Sequence, residues 1–195
     1  GANPLPDATY GLNVQQRSRD AGATDQSVSV QSYQTTTYTL PDGEKVELQK
    51  PVYAFKGPVP AMYSVRQAAQ IVGMGLIEAV DEATILALAD PTDRDGDGVR
   101  GVPNWVSNPE NGKTHLGRYG WKAAKATLRH QVGDALIKDM GVTTPVFPSR
   151  SCQRLDPDCH NAAGGTAISE AELQRLVDYL SLLAVPAQRS LRSGF

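Results

Sequence analysis

One segment, Gly117–Gly141, constrains the fold more than any other part of this sequence. It combines helix-forming residues with a final glycine, and glycine after an apolar periodic run is a common helix stop. We therefore predict a helix from Tyr119 to Met140. A helix advances about 100° per residue, so residues three or four apart share a face. An arc of about 80° on this helix collects Trp121, Ala124, Leu128, Gln131, Ala135 and Asp139.

Two residues on this face, Gln131 and Asp139, do not suit a plain apolar core. A buried amide or carboxylate costs about 2–7 kcal/mol unless it is hydrogen-bonded. Two explanations stay open: the side chains bond to neighbouring loops at the edge of the face, or they meet a ligand or solvent-lined cavity. Trp121 suits a buried face if its indole N–H finds a partner. Gly133, inside the predicted helix, indicates close approach by another group.

The rest of the sequence predicts a mainly α chain with a small β-hairpin. Residues 1–32 are polar and are expected to form an extended arm. Residues 33–60 contain a Thr- and Tyr-rich run, the turn Pro41-Asp42-Gly43 and an alternating run, which predict the hairpin and its connection. Residues 61–195 are expected to form a helical domain with an acidic cation loop and a disulfide loop.

Three further helices are predicted in this helical domain. One begins at a capping box on Ser64, and a short one runs from about Glu82 to Ala89. Residues 90–116 are predicted to be a loop. The last helix begins at a capping box on Ser169 and is ended by Pro186.

Composition limits the possible function classes. The 195 residues suffice for one domain with a core or for two small lobes, and a 40% hydrophobic, 21% charged chain should be globular. The net charge of −2 and the scattered basic residues argue against a nucleic-acid partner. No apolar run approaches the roughly 20 residues that span a membrane. Because the chain begins with Gly1, we expect a removed signal or a piece of something larger.

Two cysteines, Cys152 and Cys159, lie close together in a stretch rich in Pro, Asp and Gly. The simplest interpretation is a local disulfide. Since disulfides persist in oxidising compartments, we expect a periplasmic or secreted protein.

An acidic loop carries Asp93, Asp95 and Asp97 at alternate positions before a glycine. Three carboxylates at this spacing can converge on one cation, and hard oxygen ligands favour calcium. Val99 and Asn104 complete the predicted ligand set, although an EF-hand has Glu at the position of Asn104. A solvated turn that binds nothing is the alternative. Bound calcium is expected to act as a structural clip.

Several segments occur here in an order and spacing that resemble a known family. They are Ser64-Val65-Arg66, Gly73–Ala79, Ala89-Asp90-Pro91, Asp97–Gly101, Gly117–Ala123, Gln131 and Asp139-Met140-Gly141. The chain resembles the di-haem oxidoreductases, peroxidase-like proteins also called thiol oxidoreductases. The resemblance covers nearly the whole chain and is best over residues 60–190.

That family is similar to bacterial di-haem cytochrome c peroxidases and MauG, so the resemblance implies an incomplete fold of that kind. Those proteins carry a Trp between two c-type haems, with a Gln and a Glu beside the peroxidatic haem. Trp121 stands ten residues before Gln131, as in their motif. By resemblance, Trp121 is the electron bridge, Gln131 lines the peroxide pocket and Asp139 takes the place of the proton-shuttling carboxylate. Arg118 is expected to contact the cofactor with Trp121 and Gln131.

The cofactor is where the sequence departs from the family. Haem is attached there through Cys-x-x-Cys-His, which is absent here, and Cys152 to Cys159-His160 has a different spacing. We therefore expect a segment from between two attachment motifs, inactive alone, with flanking haem-bearing segments as partners and peroxide or another small molecule as substrate. A haem-free, calcium-clipped binding or scaffold module is the alternative. His115, His130 and His160 are expected to be surface or hydrogen-bonded residues.

Overall fold

The computed structural model describes residues 7, 10, 11, 13, 14, 27–149 and 164–187. They fall into two compact units, one up to residue 66 and one from residue 67 onward. In chain order the elements are β1 (Ser27–Thr39), β2 (Lys45–Lys56), α1 (Met74–Ala79), α2 (Glu82–Ala87), β3 (Trp105–Ser107), β4 (Thr114–Leu116), a 3₁₀ turn (Trp121–Ala123), α3 (Leu128–Met140) and α4 (Glu170–Leu182). None of the helices described is long and apolar enough to cross a membrane.

The first unit is built on a long antiparallel hairpin. β1 pairs with β2 along its length, with one irregularity between Val30 and Ser32. At the tip, the N–H of Gly43 donates to the carbonyl oxygen of Leu40 at 2.9 Å, and Gly43 has a φ of 91° that only glycine adopts readily. The predicted turn is confirmed, but β1 begins earlier than expected, at Ser27. β-branched and aromatic residues through both strands favour this longer pairing.

The second unit has its core between α3 and α4. Leu128 on α3 and Leu173 on α4 are completely buried. Gly133 explains how closely a neighbouring segment approaches α3: a Cβ there would lie 3.1 Å from the ring of Phe147 and 3.2 Å from Val146. The close approach predicted at Gly133 is confirmed.

The short helix α1 packs against the end of α4. The N–H of Gly73 donates to the carbonyl oxygen of Leu183 at 2.9 Å, and a Cβ on Gly75 would overlap the carbonyl group of Ser181. The helix predicted from Ser64 is wrong, because residues 64–72 are not helical and α1 starts only at Met74. Gly73 has a φ of 72°, which no helix interior accommodates.

The two longest helices have well-defined ends. At α4, the predicted capping box is confirmed, with Ser169 and Glu172 bonding to each other's backbone N–H groups. At α3, the side chain of Thr127 accepts from the N–H of His130 at 3.0 Å, and Gly141 ends the helix with a φ of 66°. The predicted stop at Gly141 is therefore confirmed, and the predicted start at Tyr119 is wrong.

The predicted fold class, mainly α and peroxidase-like with one small hairpin, is wrong. Of the described residues, 27% are helical when the 3₁₀ turn is included, and 24% lie in strands or bridges; there are four α-helices and two antiparallel sheets among them. The hairpin is longer than expected, and a second one, β3–β4, occupies residues predicted as loop. The remaining helices are shortened because glycines with positive φ interrupt them at Gly73 and Gly120.

Candidate functional site

The segment before α3 forms a tight turn instead of the predicted first part of a helix. The N–H of Tyr119 donates to the carbonyl oxygen of Lys125 at 3.0 Å, and the N–H of Lys125 returns to Tyr119 at 3.0 Å. Residues 119–125, which we call the Trp121 turn, therefore form a closed loop. Trp121 and Ala124 consequently do not share a helical face with Gln131. The Trp121 side chain is 55% exposed, so its predicted burial is wrong.

The backbone of the Trp121 turn is strained at two adjacent residues. Lys122 and Ala123 have φ values of 59° and 49°, in the left-handed region that non-glycine residues rarely adopt. Each such residue costs on the order of 1–3 kcal/mol and persists only where its surroundings hold it. Such strain clusters at functional sites, which makes this turn a candidate site.

Asn104 holds the strained turn from outside. Its Nδ2 donates to the carbonyl oxygens of Lys122 at 3.1 Å and Ala123 at 3.2 Å. The backbone carbonyl oxygen of Asn104 accepts from the N–H of Gly117 at 2.7 Å. At Gly117 a side chain would overlap the carbonyl oxygen of Ala123, so only glycine fits there. The sequence identified Asn104 only as a calcium ligand and gave no sign of this role.

Gln131 lies beside the turn with one atom unsatisfied. Its Oε1 is buried and has no hydrogen-bond partner among the described residues. A Cβ on Gly120 would lie 3.0 Å from this oxygen, so the turn presses its backbone against the amide. A buried acceptor left without a donor costs about 1–3 kcal/mol. The arrangement leaves a buried acceptor without a donor beside the Trp121 turn.

The buried side of α3 differs from the predicted face. Its buried residues are Leu128, His130, Val132, Gly133 and Ile137. The half-buried Gln131 borders them, whereas Asp139 is exposed. Asp139 lies eight residues beyond Gln131, about 12 Å along the axis. A peroxide-sized molecule at Gln131 does not reach Asp139 directly.

Charged groups on α3 form a network near the Trp121 turn. Oδ1 of Asp134 lies 3.0 Å from Nζ of Lys125 and 2.7 Å from Nζ of Lys138. Burial lowers the pKa of Lys125, and the hydrogen bond to Asp134 opposes this shift. Partial desolvation raises the pKa of Asp139, and the negative charge of Asp134 raises it further. Asp139 therefore retains a proton to higher pH than an ordinary aspartate.

The two histidines that the structure describes, His130 and His115, both contact neighbouring residues of the fold. His130 is buried, its Nδ1 accepts from the N–H of Ala126 at 3.4 Å, and its ring centre lies 5.8 Å from that of Phe147. Burial lowers the pKa of His130, and the positive charge of Lys125 lowers it further. His115 lies 3.4 Å, Nε2 to Nδ2, from Asn111. His160, like Cys152 and Cys159, lies outside the described residues.

Arg118 was predicted to bind the cofactor, but its guanidinium is used within the fold. Nη1 of Arg118 donates to the carbonyl oxygens of Ile77 at 3.1 Å and Glu78 at 3.2 Å, and also to that of Val80. These carbonyls end α1. The hydroxyl of the adjacent Tyr119 donates to Met74 at 2.7 Å.

Glu78 is a further residue that the sequence analysis did not single out. Its Oε1 accepts from the N–H of Leu128, the first residue of α3, at 3.1 Å. Burial raises the pKa of Tyr119 well above its usual range, and the charge of Glu78 raises it further. The segment containing Glu78 was identified only as a family motif, and its spacing carried no sign of these contacts.

The acidic loop brings its three aspartates together as predicted. Carboxylate oxygens of Asp93, Asp95 and Asp97 lie within 4.8 Å of one another. The loop is closed by paired backbone hydrogen bonds between Asp90 and Gly101 at 2.8 and 3.0 Å.

Internal hydrogen bonds also order the acidic loop. The N–H of Val99 donates to Oδ1 of Asp97 at 2.7 Å, and that of Gly98 donates to the Asp93 carboxylate at 3.2 Å. Glycines with positive φ at positions 96 and 98 permit the sharp bends. The carboxylates of this loop are the groups suited to a hard cation such as calcium.

Comparison with known families assigns the chain to one of them. Residues 8–193 match the family described as "Di-haem oxidoreductase, putative peroxidase". The chain belongs to this di-haem oxidoreductase family. The resemblance inferred from the sequence is thereby confirmed. The chain matches no curated protein and no solved structure.

The residues of this di-haem oxidoreductase chain fit one side of a haem pocket. Trp121 offers an exposed aromatic face, and Gln131 beside Gly120 offers an unpartnered buried oxygen. A family haem is attached through Cys-x-x-Cys-His, and the printed sequence contains no such motif. Trp121 and Gln131 are therefore candidates for lining such a pocket.

Proposed function

We propose that this chain supplies one wall of a haem pocket and the inter-haem electron bridge of a periplasmic, peroxidase-like di-haem oxidoreductase. The observation that carries the proposal is the unpartnered Oε1 of Gln131, buried next to the Trp121 turn. Haem, when bound, supplies the redox chemistry, and the protein supplies binding, orientation and electrostatics.

Trp121 acts as the bridge because its indole is exposed yet held on a fixed backbone. The turn that carries it is closed by the pairing of Tyr119 with Lys125 and by the amide of Asn104. A rigid support keeps an aromatic ring at a constant separation from its neighbours, so little reorganisation of the protein accompanies the passage of charge. The left-handed Lys122 and Ala123 are the local cost of this geometry.

Gln131 orients a small substrate by accepting a hydrogen bond from it. A hydroperoxide has an O–H donor that suits the buried amide oxygen, whose environment lacks another donor among the described residues. We expect Gln131→Leu in the haem-bearing protein to lower kcat/KM for peroxide by about tenfold, the loss from one such hydrogen bond. Gln174→Leu, on the exposed side of α4, is the control. Unchanged kcat/KM in Gln131→Leu contradicts the role.

Asp139 is the proposed proton carrier of the site. Its raised pKa supports this role, because a carboxyl group that stays protonated nearer to neutral pH can both give and take a proton. Its distance along α3 from Gln131 requires water to relay the proton. We expect Asp139→Asn to lower kcat with little change in KM, and a change in KM alone argues against proton transfer.

The partners of this wall are haem-bearing segments outside residues 1–195. The absence of a Cys-x-x-Cys-His motif in the printed sequence supports this assignment. We expect the 195-residue chain, expressed where c-type haem is attached, to be colourless and to have its plain mass of about 20.9 kDa. A Soret band with a haem mass increment contradicts it.

Calcium is proposed to clip the acidic loop. The convergence of Asp93, Asp95 and Asp97 supports it, because three carboxylates within 4.8 Å repel one another without a cation. We expect calcium to raise Tm relative to chelator in the parent chain and to have no effect in Asp95→Asn. Asp178→Asn, on α4, is the control and should keep the calcium shift. Equal Tm with calcium and chelator in the parent chain contradicts the site.

The same acidic loop favours a second candidate function, a haem-free, calcium-clipped binding or scaffold module. The two functions differ in what Gln131 does. In a scaffold module, calcium stabilises the fold while Gln131→Leu changes no redox activity. The redox function requires that Gln131→Leu lowers peroxide turnover.

The periplasmic location rests on the proposed disulfide between Cys152 and Cys159, which lie outside the described residues. A disulfide persists in an oxidising compartment. Thiol alkylation of the purified protein before and after reduction tests it. Two added alkyl groups only after reduction support the disulfide, and two added before reduction contradict it.

A further inference from the structure

The short helix α1 is bonded to the chain on both sides of the Trp121 turn. Before the turn, Arg118 donates to the C-terminal carbonyls of α1, and the hydroxyl of Tyr119 donates to Met74 at 2.7 Å. After the turn, the N–H of Leu128 donates to the Glu78 carboxylate at 3.1 Å. One helix of six residues therefore bonds to the chain segment that enters the turn and to the segment that follows it.

The chemistry of these contacts explains why they are formed. The last carbonyls of a helix lack partners within it and carry partial negative charge, which the guanidinium of Arg118 satisfies. The first N–H groups of α3 lack helical partners too, and the carboxylate of Glu78 accepts from one of them. Arg118 thus satisfies carbonyl groups at the end of α1, and Glu78 satisfies an N–H group at the start of α3. Both bonds are charge-assisted and therefore stronger than neutral hydrogen bonds.

The opposite end of α1 is fixed to α4. Gly73 donates to Leu183 at 2.9 Å, and Gly75 leaves no space between α1 and the backbone of Ser181. The contacts of Arg118, Tyr119 and Glu78 described above, which we call the clamp, are therefore supported by the core of the second unit through α1. The clamp does not move freely with the Trp121 turn.

We propose that Arg118 and Glu78 are positioning residues that hold the Trp121 turn and, through it, Gly120 against Gln131. Nη1 of Arg118 is shared among three carbonyls at the end of α1, so it serves the fold, while the predicted contact of Arg118 with the cofactor stays a prediction. The proposal concerns the fold of the haem-free chain, so it stands or fails separately from the redox function.

Amide hydrogen exchange of the haem-free protein tests the clamp. In Arg118→Gln, we expect the amide of Lys125 to exchange about tenfold faster, because local opening is governed by local stability. The amide of Leu173 in α4 should exchange at the parent rate. Arg118→Lys, which keeps a donor for the helix carbonyls, should restore part of the protection.

The matched control is Arg94→Gln. Arg94 also bonds to a backbone carbonyl, that of Ala89 two residues past α2, at 3.1 Å, but it makes no described contact with the Trp121 turn. It should leave the exchange of Lys125 unchanged. The proposal is overturned if Arg118→Gln leaves Lys125 at the parent rate. It is also overturned if Leu173 accelerates equally, which marks a general loss of stability.

Glu78→Ala provides a second test should Arg118→Gln fail to fold. Glu78 is exposed, so its truncation opens no cavity. We expect faster exchange at Leu128 and lower fluorescence anisotropy of Trp121, measured in a Trp105→Phe background so that one Trp reports. Glu82→Ala, in the first turn of α2, is the control. Parent values for both measurements in Glu78→Ala overturn the proposal.

Discussion

At the scale of single residues, the contact between Gly120 and Gln131 decides the character of the site. Gly120 has a φ of 72°, and its missing side chain leaves room for the Gln131 Oε1. The sequence analysis connected Gln131 with the neighbouring Trp121 by spacing, but on a helix from Tyr119 it would have lain far along the axis from Gly120, so this contact was not predicted. Gln131 itself could be identified from the sequence, because an amide among Ala and Leu conflicts with an apolar face.

Gly120→Ala should destabilise the protein by about 1–3 kcal/mol, because its φ of 72° with ψ of 177° is a conformation that essentially only glycine adopts and because the added Cβ would crowd Gln131. Gly112→Ala is the control for a side chain added at positive φ without crowding, since Gly112 has a φ of 66° and nothing within 4 Å of an added Cβ. Denaturant unfolding should show a larger loss at Gly120 than at Gly112. Adding Gln131→Ala should recover the difference. Equal losses at the two glycines contradict the crowding.

His130 should make stability depend on pH. Burial lowers its pKa in the folded state below the unfolded value of about 6.5, so the unfolded chain binds more protons. The stabilisation is complete above that value and is lost as pH falls through the folded pKa. We expect Tm to drop from about pH 7 to pH 5 more steeply in the parent than in His130→Gln. Because both proteins contain Asp139, its titration cancels, and parallel pH profiles contradict the assignment.

At the scale of elements, the ends of helices were predictable where one short motif marks them. The capping box at Ser169 and the stop at Gly141 lie within five residues of the backbone groups that they satisfy. The start of α3 was not predictable in this way. Helical periodicity continues back to Trp121 in sequence, but the pairing of Tyr119 with Lys125 closes a turn that periodicity does not show.

Thr127 distinguishes the observed start of α3 from the predicted one. As the N-cap of α3, its side chain accepts from His130, so Thr127→Ala should cost about 1 kcal/mol of stability and Thr127→Ser should cost little. Inside a helix that began at Tyr119, alanine would instead stabilise, because it has the higher helix propensity. Denaturant unfolding of the two variants decides. Increased stability in Thr127→Ala contradicts the observed start.

The strands show the complementary limit of pattern-based prediction. The turn at Gly43 was identified from its residues, yet the hairpin extends well beyond the run that alternates clearly. The start of β1, Ser-Val-Ser-Val at residues 27–30, does alternate polar and apolar residues, but this strand signal is short and lies at the end of a stretch of mostly polar composition. The extent of pairing depends on the partner strand, which sequence composition does not specify.

At the scale of the whole molecule, order and spacing of short motifs identified the family, although they did not identify the fold class. The match over residues 8–193 confirms the family. The motif around Gly73 and Gly75 has a clear structural reason, because these glycines let α1 approach the end of α4. The sequence showed the motif, but only the packing of distant segments shows that it supports the Trp121 turn.

The measurement that tests the central claim most directly is inter-haem electron transfer in the haem-bearing protein with Trp121→Phe. Trp105→Phe is the matched control, since the two Trp side chains are similarly exposed, at 55% and 50%. Flash reduction followed by absorption should show transfer slowed about tenfold or more in Trp121→Phe, with parent haem spectra and Tm. Trp105→Phe should transfer at the parent rate. A parent rate in Trp121→Phe, or an equal loss in both variants, contradicts the account.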